Sequence, residues 1–145
     1  MFKKILVPVD GSSTALYVLK KAEEMAKEYD STLYVLTVIP EPILLEQAPT
    51  DIPTMEIIKA RKSRSKYILE EAQKSSGYTG QVQFVERTGS VPKEIVAFAE
   101  EENVDLIVIG NRGLGAFSRT LLGSVSNRVI NLTKKPVLVF KEDHE

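Results

Sequence analysis

The sequence predicts an α/β fold: a three-layer sandwich around an open, five-stranded parallel sheet. Three observations carry that expectation. Short β-branched runs alternate with helix-length segments along the chain, and parallel strands joined by right-handed crossovers place helices on both faces of one sheet. The runs at 5–9 and 105–110 are nearly all apolar, as strands covered on both faces are. The 145 residues are 43% hydrophobic and 27% charged, which suits one globular domain, expected over 1–145, with a core that needs no disulfide or metal.

The elements follow in order. Ile5, Leu6, Val7, Pro8 and Val9 form the first strand, ended by Asp10-Gly11-Ser12-Ser13. Ala15, Val18, Leu19, Ala22, Met25, Ala26 and Tyr29 recur at three- and four-residue steps and make one helix stripe, with Ser12 or Ser13 as its cap. Residues 32–39 are a second strand, closed by Pro40 and Pro42. A long connection with four prolines fills 40–54, and long loops of this kind often serve as lids or binding loops. A helix over 55–74 carries Ile58, Tyr67, Ile68, Leu69 and Ala72 on or near its inner stripe. Residues 82–85 are a weaker strand whose partial polar alternation marks a sheet edge.

Ser90-Val91-Pro92 opens the next helix, with Ser90 as cap and Ile95, Val96, Phe98 and Ala99 as its apolar side. The fourth strand spans 105–110. A Gly-rich stretch leads to a last helix over 124–133, and Pro136 introduces the fifth strand at 137–140.

Composition closes several routes. There is no cysteine, so disulfides, thiolate zinc sites and cysteine nucleophiles are excluded. The single histidine, His144, excludes a His-based triad and a multi-histidine metal site. Lys plus Arg is 19 against 20 Asp plus Glu, a net charge of −1, which argues against a nucleic-acid binder. No apolar run suits a signal peptide or a membrane span, so a cytoplasmic protein is expected. Lys59, Arg61, Lys62, Arg64 and Lys66 form one basic cluster, read as a solvated helix face with Lys66 pairing to Glu70. Glu100, Glu101 and Glu102 read as a solvated helix end.

In an open parallel sheet, ligands bind beyond the carboxyl ends of the strands where the winding reverses. If the first and fourth strands are neighbours there, the turns Val9-Asp10-Gly11 and Gly110-Asn111-Arg112-Gly113 face one crevice. Gly123-Ser124 opens a helix whose unpaired N–H groups and dipole favour an anion. Ser124 and Ser126 add hydroxyls, and Arg112 and Arg119 add guanidinium groups. No Walker A loop is present, and dinucleotide-binding glycine spacing from Gly113 fails at Ser118.

The spacing Gly110-x2-Gly113-x9-Gly123-Ser124 resembles the G-2x-G-9x-G-(S/T) signature of the nucleotide-binding branch of the universal stress protein family. The opening Lys4-Ile5-Leu6-Val7-Pro8-Val9-Asp10-Gly11-Ser12, the strand at 105–110 and the closing Lys135-Pro136-Val137-Leu138-Val139 resemble it too. The resemblance implies strand order 3-2-1-4-5 in a Rossmann-like, adenine nucleotide alpha hydrolase-like arrangement. It implies ATP, or another adenine nucleotide, between strands one and four, with Mg or Mn carried through the phosphates. Pro8, Val9 and Asp10 would contact the adenosine, and Val38 the adenine edge. Gly110, Arg112 and Gly113 would approach ribose and phosphate, and Gly123, Ser124, Val125 and Ser126 would hold phosphates. A homodimer through 137–140 is also implied, and an apolar edge strand needs such a cover.

Three roles remain open on these residues. One is a nucleotide-dependent regulatory module of stress response, with a protein partner that the residues do not identify. The others are a slow ATPase or nucleotidyl-transfer enzyme, for which Asp10 is the only acidic candidate, and a dimeric interaction module without nucleotide.

Overall fold

The structure is a computed structural model that describes residues 1–40, 54–111 and 122–141. Its elements are β1 (Lys4–Pro8), α1 (Ser13–Tyr29), β2 (Thr32–Pro40), α2 (Thr54–Ser75), β3 (Val82–Gly89), α3 (Val91–Glu101), β4 (Leu106–Gly110), α4 (Ser124–Leu132) and β5 (Val137–Phe140). The strands form one sheet in the order β3-β2-β1-β4-β5, and every ladder is parallel. Strand order and fold class are those expected above.

The period-two alternation of the strands sorts the core into two halves. Ile5, Val7, Leu33, Val35, Leu106 and Val108 face one way and pack under Val18, Leu19 and Ala22 of α1 and Ile68 and Ala72 of α2. Leu6, Tyr34, Leu36, Ile107 and Ile109 face the other way and pack on Ile95, Phe98 and Ala99 of α3 and Val129 of α4. The winding therefore reverses between β1 and β4.

Local chemistry fixes the ends. Ser12 caps α1, its Oγ accepting from the Ala15 amide at 3.1 Å. Ser90 sits at the N-cap of α3, yet its side chain makes no capping bond. Pro92 occupies the second helical position and has no N–H to offer there.

Four expectations change. In α2, Ile58 is 42% and Tyr67 57% exposed, so neither belongs to the inner stripe. The buried positions are Ser65, Ile68 and Ala72, and residue 67 lies about 100° around the helix from 68. β3 runs to Gly89, beyond its apolar stretch, pairing with β2 as far as Pro40, and helix side chains hold its charged half. Glu86 accepts from Ser65 Oγ at 2.7 Å and from Lys62 Nζ at 3.2 Å. Arg87 donates to both oxygens of Glu101, at 2.8 and 3.0 Å, and to Glu94 at 3.0 Å. Glu101 is thus an ion-pair partner and not simply part of a solvated helix end. The basic cluster is likewise tied in through Lys62, whereas a Lys66–Glu70 pair is not among the ion pairs of the described residues.

Candidate functional site

β1 and β4 pair over only two positions, Ile5 with Leu106 and Leu6 with Ile107. Both strands continue beyond that point, to Pro8 and Gly110, but no longer as a ladder. Pro8 has no N–H to extend it. On its other side β1 stays bonded to β2, the Val9 amide donating to Leu36 O at 2.8 Å. The sheet therefore parts at its carboxyl end where the winding reverses.

A cavity of about 410 Å³ opens there. Pro8, Val9 and Asp10 line it from the end of β1, and Leu36, Thr37, Val38, Ile39 and Pro40 from the end of β2. α2 contributes Arg61, Arg64, Ser65 and Ile68, α3 contributes Val91 and Ile95, and α4 contributes Val125. The wall is mostly aliphatic with a few polar groups, the usual make-up of a small-molecule site. Asp10 Oδ1 accepts from the Ser12 amide at 3.0 Å, which folds the turn back on itself. Gly11 completes that turn at φ 90, a left-handed conformation that a side chain resists.

Next to Val125 on the cavity wall, the start of α4 is tied to the end of β4. The Asn111 amide donates to Phe140 O at 3.0 Å, and the Gly123 amide donates to Asn111 O at 2.8 Å. The buried Ser126 hydroxyl donates to Gly110 O at 2.8 Å. These bonds pin the first turn of α4 against the end of β4. The first helical bond runs from Asn127 N to Gly123 O, so the amides of Ser124, Val125 and Ser126 have no acceptor within the helix. The anion-favouring groups are these amides, while the Gly123 amide and Ser126 hydroxyl are spent on the turn. Gly123 has φ −62, so its conformation is open to any residue, and what a side chain there would change is space.

Of the residues singled out from the sequence, Pro8, Val9, Asp10, Val38 and Val125 share the cavity wall. Gly110, Gly123, Ser124 and Ser126 form the adjoining turn and helix start. Arg112, Gly113 and Arg119 lie outside the described residues. The sequence reading left Arg61 and Arg64 on a solvated helix face and did not single out Ser65, whereas all three line the cavity. Their signal was the helix phase: 61, 64, 65, 68 and 72 fall at helical steps of three or four, so the face of α2 that buries Ser65, Ile68 and Ala72 continues into two arginines, Arg61 half-buried and Arg64 exposed. Among the described residues no cluster of His, Cys, Asp or Glu is suited to hold a metal ion. No helix among them is long and apolar enough to cross a membrane.

A parallel sheet in the order β3-β2-β1-β4-β5 with a crevice at its switch point places the chain in the doubly wound class of α/β proteins. The model of the universal stress protein family matches residues 1–141, and the chain belongs to that family. Universal stress protein MJ0531 of Methanocaldococcus jannaschii is 36% identical over 143 residues, covering 98% of this chain and 84% of that protein. Among solved structures, a universal stress protein in complex with cAMP is 26% identical with a TM-score of 0.72, covering 94% of this chain and 95% of its own. The universal stress protein of Archaeoglobus fulgidus in complex with dAMP is 30% identical with a TM-score of 0.62, covering 96% of this chain and 98% of its own.

Proposed function

We propose that this chain is a nucleotide-binding regulatory module of stress response. In this reading it takes ATP, or another adenine nucleotide, in the crevice between β1 and β4 and acts as a homodimer through β5. The observation that carries the reading is the pairing of an aliphatic cavity with the pinned first turn of α4 where the sheet parts. At about 410 Å³ the cavity falls within the range of small-ligand pockets. Relatives that hold cAMP and dAMP support the same ligand class.

Pro8, Val9, Asp10 and Val38 would flank the adenosine. Gly110, Arg112 and Gly113 would approach the ribose and phosphates, and Gly123, Ser124, Val125 and Ser126 would hold the phosphates, mainly through amides. Mg or Mn would ride on the phosphates, since the crevice offers no carboxylate cluster among the described residues. The reading favours binding over turnover. Phosphoryl transfer needs a positioned base or water as well as charge stabilisation, and Asp10, the one carboxylate on the described wall, already accepts the Ser12 amide.

Denaturing the purified protein and identifying any released nucleotide by mass spectrometry tests the ligand class. Gly123→Val tests the position. A side chain there crowds the phosphate end and should weaken ATP binding at least tenfold, about 1.4 kcal/mol, with circular dichroism unchanged. Unchanged affinity in the folded variant would place the phosphates elsewhere.

A further inference from the structure

We propose that Arg61 and Arg64 form a second anion subsite in the crevice, so that its preferred ligand is an adenine nucleoside phosphorylated at two positions. The proposal rests on the reading above that the crevice takes an adenine nucleotide. It starts from a misfit in α2. The face turned to the sheet is apolar at Ile68 and Ala72, both buried. One and two turns earlier the same face presents guanidinium groups to the cavity.

Each head group has a defined place. Arg61 Nη1 donates to Pro40 O at 3.0 Å, at the end of β2. That bond uses one of the five N–H donors of a guanidinium. Arg64 reaches over the turn after β1. A Cβ built on Gly11 would lie 3.2 Å from its Nη2, so the bare backbone of Gly11 makes the room it occupies.

Neither arginine has a carboxylate partner among the described residues. Arg87 shows the contrast, since its half-buried guanidinium is held by Glu94 and Glu101. Asp10 shares the wall with Arg64 but forms no ion pair with it. Partly oriented guanidinium groups with no carboxylate partner among the described residues suit bidentate capture of a phosphate.

The position matters as much as the charge. The arginines stand at the ends of β2 and β1, whereas the α4 amides stand beyond β4 on the far side of β1. Two strand spacings, roughly 10 Å, separate β2 from β4. One phosphate does not serve both ends. A nucleoside with a 5′-phosphate at α4 and a second phosphate on its 2′ or 3′ oxygen does.

Calorimetric titration with AMP, adenosine 3′,5′-bisphosphate and adenosine 2′,5′-bisphosphate tests this. The two bisphosphates decide which ribose oxygen carries the second group. The wild type should bind one of them at least tenfold tighter than AMP. In Arg61→Gln/Arg64→Gln the ratio of bisphosphate to AMP affinity should fall to near one, while Gly123→Val should weaken both ligands and keep the ratio. The single variants serve if the double variant does not fold. A wild-type ratio near one, or a ratio that survives loss of both arginines, overturns the subsite. ATP binding with a ratio near one overturns the subsite alone, and no binding of ATP, AMP or either bisphosphate overturns the parent reading with it.

Discussion

At the scale of single residues, Asp105 joins the two strands that part at the crevice. Its Oδ2 accepts from the amides of both Lys3 and Lys4 at 2.9 Å. Asp105→Ala leaves both amides without that acceptor and should cost about 1–3 kcal/mol in urea unfolding, with Asp105→Asn recovering part of the loss. A change below about 0.5 kcal/mol, the usual scatter of surface substitutions, would show that the Lys4 ladder holds the strand start alone. The residue scale is also where the sequence was most and least informative. Glycine and serine spacing located the turn into α4. The division of labour inside it did not follow, because which donor is spent on Asn111 O or Gly110 O depends on where β4 ends relative to the helix.

At the scale of elements, α2 and β3 are joined through Glu86. The Ser65 hydroxyl, and after it Lys62, hold its carboxyl below the usual range, against the opposing effect of partial burial. The folded chain then takes up this proton at lower pH than the unfolded chain does. The contribution is present above the ordinary glutamate range, near pH 4.3, and is lost as pH falls through it to the lowered folded value. Glu86→Gln should therefore destabilise the protein at pH 7, and the gap to wild type should narrow near pH 3 when both are unfolded in urea. A gap independent of pH would show that Glu86 contributes shape and not charge.

These two elements were the least legible in the sequence. A period of 3.6 announces a helix, yet α2 has polar residues on its buried side and Tyr67 outside it. Four apolar or neutral residues announced β3, but its second half depends on partners from α2 and α3 that lie 14 to 24 positions away along the chain at Arg87–Glu101 and Lys62–Glu86. By contrast β1, β4 and β5 were plain, since apolar runs between turn residues have few other uses.

At the scale of the whole molecule, the two sheet edges differ in kind. β3 is an edge guarded by Glu86 and Arg87. β5 is an edge of four consecutive apolar residues, all half-buried, and beside it α4 exposes Ile130 at 37% and Leu132 at 45%. Edges without charge invite pairing, and a two-fold copy of β5 would satisfy its free backbone groups. Val139→Lys should shift the mass measured by light scattering from dimer to monomer. A wild-type mass near the 16.1 kDa of one chain at tens of micromolar protein would contradict the dimer. The layers could be read from alternation alone. The strand order came from resemblance to a family, because nothing within a β-α-β unit states on which side of its neighbour the next strand is laid.

Calorimetric titration of the wild-type protein with ATP and Mg²⁺ tests whether the parted sheet holds an adenine nucleotide. Three amides at the α4 terminus and an aliphatic wall for the base can supply micromolar affinity, about −8 kcal/mol, from charge-assisted hydrogen bonds of roughly 1.5–3 kcal/mol each and adenine burial after the cost of association. Saturable heat at micromolar ATP, with one nucleotide per chain, is the expected outcome. Absence of heat at millimolar ATP, from protein shown to be folded, would contradict it.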